Sequence, residues 1–253
     1  MDNNFKELFI RKVIKNFNIS KDELYLIKKA LDFFIVSWEK GIYKDKTHDF
    51  LHVIKVLDYS IYILKKEKIK LNKKESLNLL ISIVFHDIGL FFAKKPNEIE
   101  KSIELFLNFY EGLNKKEKKI IDKNLVIKLI KEHSFSKSKD QSNLISKILY
   151  DADKLDALGV RGFYRVLVYD KDRFLLNPVI DYNYYLSLLK KGLLSRKKCS
   201  KIFNDKIYIL DHFFLKIFWI KERLNFDSSK KLAKLLEKEI IYLIEKLTKN
   251  LEN

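Results

Sequence analysis

Apolar residues recur every three to four positions over most of this chain, which is the repeat of amphipathic helices. They fall at Phe5, Leu8, Phe9, Val13, Ile14 and Phe17, predicting a first helix. Ser20 followed by Glu23 has the form of a capping box and opens a second helix, to about Lys40. A polar connection over residues 41–46 leads to Thr47, read as the N-cap of a helix carrying His52, Val53, Val56, Leu57, Ile61 and Leu64. Asn72 to Glu75 start the next helix, which ends at His86-Asp87. Helices are expected over residues 98–112 and 115–133, followed by a polar loop at 134–140. A helix from Gln141 then leads into Asp151-Ala152-Asp153-Lys154-Leu155-Asp156. Residues 170–181, with Pro178, read as irregular, a lid or a long connector, and long helices are expected near 206–223 and 228–247. No alternating strand pattern, internal repeat or low-complexity linker interrupts the series, so the fold is expected to be all-α.

Composition agrees. Six Gly and two Pro are few for 253 residues and suit long helices with short connections, while 47% hydrophobic residues can build a globular core. The balance of 51 Lys and Arg against 34 Asp and Glu gives +17, ordinarily a sign of a polyanionic partner. Here the excess is nearly all Lys, spread along the chain among acidic residues as on solvated helix faces. Lys, Ile, Asn, Phe and Tyr also share A/T-rich codons, so nucleic acid is not the favoured partner. Cys199 is the only cysteine, which excludes an intrachain disulfide and suits a reducing cytoplasm. The N-terminus lacks a signal-peptide pattern, and no apolar run approaches the roughly 18 residues of a membrane span. A cytoplasmic protein without membrane attachment is the expectation.

One stretch breaks the pattern of buried apolar residues. Leu79-Leu80-Ile81-Ser82-Ile83-Val84-Phe85 runs directly into His86-Asp87 before Ile88-Gly89. An unpaired charge inside a protein is costly to desolvate, but a divalent cation removes that cost, since imidazole and carboxylate are both good metal donors. His52, one turn after His48 on the same helix face, and Asp153 in the acidic segment downstream are the other candidate donors. Taken alone, His52 reads as an ordinary helix histidine and Asp153 as a helix cap; together, one His, then His-Asp, then Asp, on helices that pack together, could supply one octahedral or five-coordinate ion with positions left for water and substrate.

These blocks resemble the HD-domain metal-dependent phosphohydrolases. The resemblance rests on Thr47-His48-Asp49-Phe50-Leu51-His52-Val53-Ile54-Lys55-Val56, Val84-Phe85-His86-Asp87-Ile88, Glu132-His133-Ser134-Phe135 and Asp151-Ala152-Asp153-Lys154-Leu155-Asp156-Ala157-Leu158-Gly159. With Asp211-His212-Phe213-Phe214-Leu215-Lys216, they are similar to a branch of small bacterial HD hydrolases, over roughly residues 45–240. The resemblance implies a single HD-domain helical bundle over residues 1–253, with 1–44 an N-terminal extension, 45–170 the metal-site core and 171–253 the C-terminal helices.

It also implies metal ligands His52, His86, Asp87 and Asp153. Asp151 is the rival of Asp153, which is preferred because Ala152-Asp153-Lys154-Leu155 matches the superfamily pattern. Asp87 would also hold or deprotonate the attacking water, and His133 would give a proton to the leaving oxygen or touch phosphate. His48, Lys154, Asp156, Arg161, Arg165, His212 and Lys216 are the substrate-binding candidates. Of these, Arg161, Arg165, Lys154 and Lys216 would neutralise phosphate charge, and Asp156 would orient a ligand or a substrate hydroxyl. The cofactor is a divalent metal, for which Mn, Mg, Fe, Co, Ni and Zn all qualify. The expected substrate is a phosphorylated small molecule, a nucleotide first. Two other readings stand beside this: a non-catalytic nucleotide-sensing HD domain, and a nuclease or RNA-binding protein with a contiguous Lys/Arg face and steeply salt-dependent binding.

Overall fold

A computed structural model describes residues 2–43, 47–94, 96–134, 141–169 and 173–251. Residues 44–46, 135–140 and 170–172 lie outside it, and with them parts of the expected 41–46 connection, the 134–140 loop (including Phe135) and the 170–181 segment. Among the described residues the secondary structure is helical, apart from one isolated bridge pairing Phe174 with Tyr208. None of these helices is long and apolar enough to cross a membrane. The all-α expectation holds.

The chain divides into two compact units, residues 1–153 and 154–253. The first holds α1 (Asp2–Asn16), α2 (Lys21–Lys40), α3 (Phe50–Lys66), α4 (Lys73–Phe85), a 3-10 turn (Ile88–Phe91), α5 (Glu98–Glu111), α6 (Lys115–Ile120), α7 (Lys123–Glu132) and most of α8 (Leu144–Leu155). Capping boxes at Ser20/Glu23 and Asn72/Glu75 start α2 and α4 as the sequence predicts. Every residue from Ser76 to His86 is buried, because α4 packs against α2, α3, α5 and α7 at once. A helix apolar on all sides is a core helix, so its C-terminal end delivers His86-Asp87 into the interior. Phe85, Phe106 and Phe109 pack beside it, and Phe5, Phe34, Trp38, Phe50 and Phe91 form a second aromatic cluster.

The second unit holds α9 (Gly159–Tyr169), α10 (Tyr182–Lys190), α11 (Arg196–Ile202), α12 (Asp211–Leu215), a 3-10 helix (Ile217–Arg223) and α13 (Asp227–Leu251). The long α13 packs against α9, α10 and the 3-10 helix. Phe203 stacks on Phe214, centroids 4.4 Å apart, at the centre of an aromatic group with Tyr182, Tyr185 and Phe218.

Four sequence expectations need correction. Asp49, not Thr47, caps α3 by accepting from the His52 N–H at 3.1 Å; the Thr47 hydroxyl instead meets His48 Nδ1 at 2.9 Å. The expected 115–133 helix is two helices, broken at extended Ile121. There Asp122 accepts from the Leu125 N–H at 3.1 Å and gives its own N–H to Asn78 of α4 at 2.9 Å. The helix expected from Gln141 begins at Leu144, with the Asn143 side chain accepting from the Ser146 N–H. No long helix spans 206–223. Ile207, Ile209 and Leu210 spend backbone groups on Phe174 and Leu175, which leaves only α12 and the 3-10 helix. The same pairing ties down the described part of the irregular segment.

Candidate metal centre

Three helices deliver four donors to one point. His52 is held in the first turn of α3 by the Asp49 cap, His86 ends α4, Asp87 follows it, and Asp153 lies on α8. Their ligand atoms all lie within 4.8 Å of one another. His52 Nε2 and His86 Nε2 are 3.0 Å apart, and each is 3.3 Å from Asp87 Oδ2. Asp153 Oδ1 lies 3.6 Å from His52 Nε2 and 3.9 Å from His86 Nε2. His52 and His86 are inaccessible, while Asp87 keeps 13% side-chain exposure, so the cluster opens at its carboxylate edge.

The donor chemistry can be tested for a cation. His86 Nδ1 is 2.9 Å from the Ile83 carbonyl, an acceptor only, so a proton is assigned to Nδ1 and Nε2 is turned inward. Nε2 faces a second imidazole nitrogen and two carboxylates, a donor set that a divalent cation among them would satisfy. Metal bonds of about 2.1 Å place right-angled ligands about 3.0 Å apart and tetrahedral ones about 3.4 Å apart. The observed 3.0–3.9 Å separations bracket those edges. Two imidazoles and two carboxylates therefore fit a divalent ion.

Two further histidines approach Asp87. His133, the C-cap of α7, has Nδ1 at 2.6 Å from the Ile130 carbonyl and Nε2 at 3.2 Å from Asp87 Oδ1. Both ring nitrogens thus face acceptors. His48 Nε2 lies 3.6 Å from Asp87 Oδ2. The rings form a chain, with His48–His52, His52–His86 and His86–His133 centroids 5.2, 5.0 and 5.1 Å apart. Burial raises the Asp87 pKa, but His86, His48, His133 and His52 together outweigh it and hold the carboxyl well below its usual range.

The structure thus brings together His48, His52, His86, Asp87, His133 and Asp153. Asp151 is fully buried on α8 and is not one of the four clustered donors. Lys154, Asp156, Arg161, Arg165, His212 and Lys216 belong to the second unit. Within it, Asp156 accepts from Arg161 Nε at 3.0 Å and pairs with Arg165. His212 Nδ1 meets Asp205 Oδ2 at 2.8 Å; burial pushes His212 down, and the bond from His212 lowers Asp205. Asp205 had no signature as this partner, because a contact across the turn that leads into α12 has no fixed spacing. Thr47, mistaken for a cap, also stands beside the site through His48.

Residues 49–158 match the family model of the HD domain. YpgQ of Bacillus subtilis is 26% identical over 226 residues, covering 86% of this chain and 92% of YpgQ. The crystal structure of YpgQ in complex with ADP superimposes with a TM-score of 0.52 at 20% identity, covering 87% of this chain and 97% of that one. An HD-superfamily hydrolase of Bacillus thuringiensis gives 0.57 at 21% identity, covering 91% and 98%. A protein from Lactobacillus plantarum gives 0.59 at 18%, covering 88% and 97%. These structural likenesses are of fold.

Proposed function

We propose that this HD-domain protein is a divalent-metal-dependent phosphohydrolase acting on a phosphorylated small molecule, a nucleotide first. The observation that carries the reading is the convergence of His52, His86, Asp87 and Asp153 within 4.8 Å. The ADP complex of the similar YpgQ supports the nucleotide.

In this reading those four residues hold the cation. When bound there, it acidifies water and draws charge from a phosphoryl oxygen. The chain's own groups manage protons and position. The Ile83 carbonyl fixes the His86 ring, as outer partners of metal-binding histidines do. Asp87, kept ionised by its imidazole neighbours, orients the attacking water and accepts a proton from it. His133 holds a proton at Nε2 and gives it to the leaving oxygen as the phosphorus–oxygen bond breaks. His48 stands at the open edge beside Asp87. Lys154, Asp156, Arg161, Arg165, His212 and Lys216 stay substrate-binding candidates on the strength of the sequence alone. The reading also keeps the whole chain as one functional domain in a cytoplasmic setting.

The test is a hydrolysis screen over nucleotides and sugar phosphates with added Mn2+, Mg2+, Co2+, Ni2+ or Zn2+, run beside His86→Ala and Asp153→Ala. The expected result is turnover of at least one nucleotide, abolished by chelation and by either substitution. Activity surviving both substitutions would overturn the mechanism. Nucleotide binding without turnover would favour the sensing alternative.

A further inference from the structure

The two helices that flank the cluster are joined by a contact outside it. Glu132, the last residue of α7, sends its carboxylate to the start of α8. Its Oε2 accepts from the Ser142 N–H at 3.0 Å, the Ser142 hydroxyl at 3.0 Å and the Ser146 hydroxyl at 2.5 Å. Ser146 is buried. The carboxylate thus spans ten residues to Ser142 and fourteen to Ser146.

The position of this clamp matters more than its strength. Glu132 directly precedes His133, whose ring reaches Asp87. Ser146 is seven residues before Asp153, two turns along α8, so both side chains leave the same face of that helix. Turning Ser146 toward Glu132 therefore sets the rotation at which Asp153 meets His52 and His86. Burial raises the Glu132 pKa, but the bonds from Ser146 and Ser142 prevail and keep the carboxylate ionised.

We infer that Glu132 is a positioning residue that locks α8 to the end of α7 and so aims Asp153 and His133 at the metal centre. The inference rests on the metal reading above and adds a residue that touches neither metal nor substrate.

The three bonds converge on one oxygen, so the glutamine variant separates acceptor from charge. In Glu132→Gln the amide oxygen can take the place of Oε2 and accept all three, losing only charge assistance. In Glu132→Ala the clamp is gone.

Isothermal titration with Mn2+ is run on the full chain, with thermal melts of each variant and with His86→Ala as the non-binding control. Glu132→Ala is expected to bind Mn2+ about tenfold to a hundredfold more weakly, the range for lost outer partners of a metal site. Glu132→Gln is expected to stay within about threefold of the parent, given the roughly twofold strength of a charge-assisted bond. If Glu132→Ala does not fold, Ser146→Ala, which removes the shortest bond, is expected to weaken Mn2+ binding by itself. Unchanged Mn2+ affinity in Glu132→Ala, or in Ser146→Ala where the former is unfolded, overturns the inference while leaving the metal reading intact. Absence of binding by the parent chain overturns both.

Discussion

Gly89→Ala tests how closely the backbone after Asp87 must approach its neighbours. A Cβ on Gly89 would lie 2.0 Å from the Glu98 carbonyl oxygen, 2.6 Å from the Ser102 nitrogen and 2.8 Å from the Ser102 hydroxyl. Since Cβ atoms essentially never come within 3.0 Å of such neighbours, the turn or the start of α5 must move by at least the 1 Å between 2.0 and 3.0 Å. Two of the three obstacles are backbone, so no side-chain rotation relieves them. Unlike Gly159, whose φ is 69°, Gly89 is not in the left-handed region, and the penalty is steric alone. Overpacking of this kind costs about 1–3 kcal/mol. The shift also breaks the 2.9 Å bond from the Gly89 N–H to the Ser102 hydroxyl, worth about 1 kcal/mol. A loss of about 3 kcal/mol is therefore expected in urea unfolding. Asp87 lies two residues away, and a 1 Å displacement of a working group costs roughly a hundredfold in rate, so the hydrolysis proposed above should fall by about that factor. Gly112→Ala is the control: its nearest obstacle is at 3.4 Å and its φ is −71°, and it should be neutral or stabilise by about 0.5 kcal/mol. A Gly89→Ala protein with parental stability and a parental hydrolysis rate would refute the reasoning.

Other outcomes follow from the second unit. Asp156→Asn leaves Arg161 and Arg165 without the carboxylate they share, and Asp156 is only 1% exposed; a loss of about 3 kcal/mol is expected by denaturant titration, and a change under 1 kcal/mol contradicts it. The His212–Asp205 pair makes stability acid-sensitive, because both folded pKa values are lowered. The His212 contribution is complete above the ordinary imidazole value of about 6.5 and is lost as pH falls below it; that of Asp205 is lost below about 3.9. His212→Asn should accordingly flatten the decline in unfolding free energy between pH 7.5 and 5.5, and an unchanged slope counts against the assignment. Cys199 is fully buried, and burial pushes its thiol up to about 11. A thiol reagent at pH 8 should find it only after unfolding, whereas rapid labelling of native protein would show the site to be open.

Much of this architecture is written locally. Ser20 with Glu23 and Asn72 with Glu75 are capping boxes within one turn, and the apolar run before His86 buries α4 whatever its partners, so these elements and the all-α class were legible in the residues themselves. His52, His86, Asp87 and Asp153, which cluster within 4.8 Å, were named together through the resemblance to the HD-domain blocks, because a single His or Asp on a helix has no signature of its own. Errors came where a local signal met a distant partner. Thr47 is as good a cap as Asp49 in isolation; Asp122 breaks the 115–133 helix with its N–H held by Asn78; and residues 207–210 give up helical bonds to pair with Phe174 and Leu175. Only the tertiary structure decided that His48 and His133 both meet Asp87 and that Glu132 clamps α8. Periodicity reports which face of a helix is apolar, but the rotation and depth at which two helices meet depend on side chains far apart in the chain.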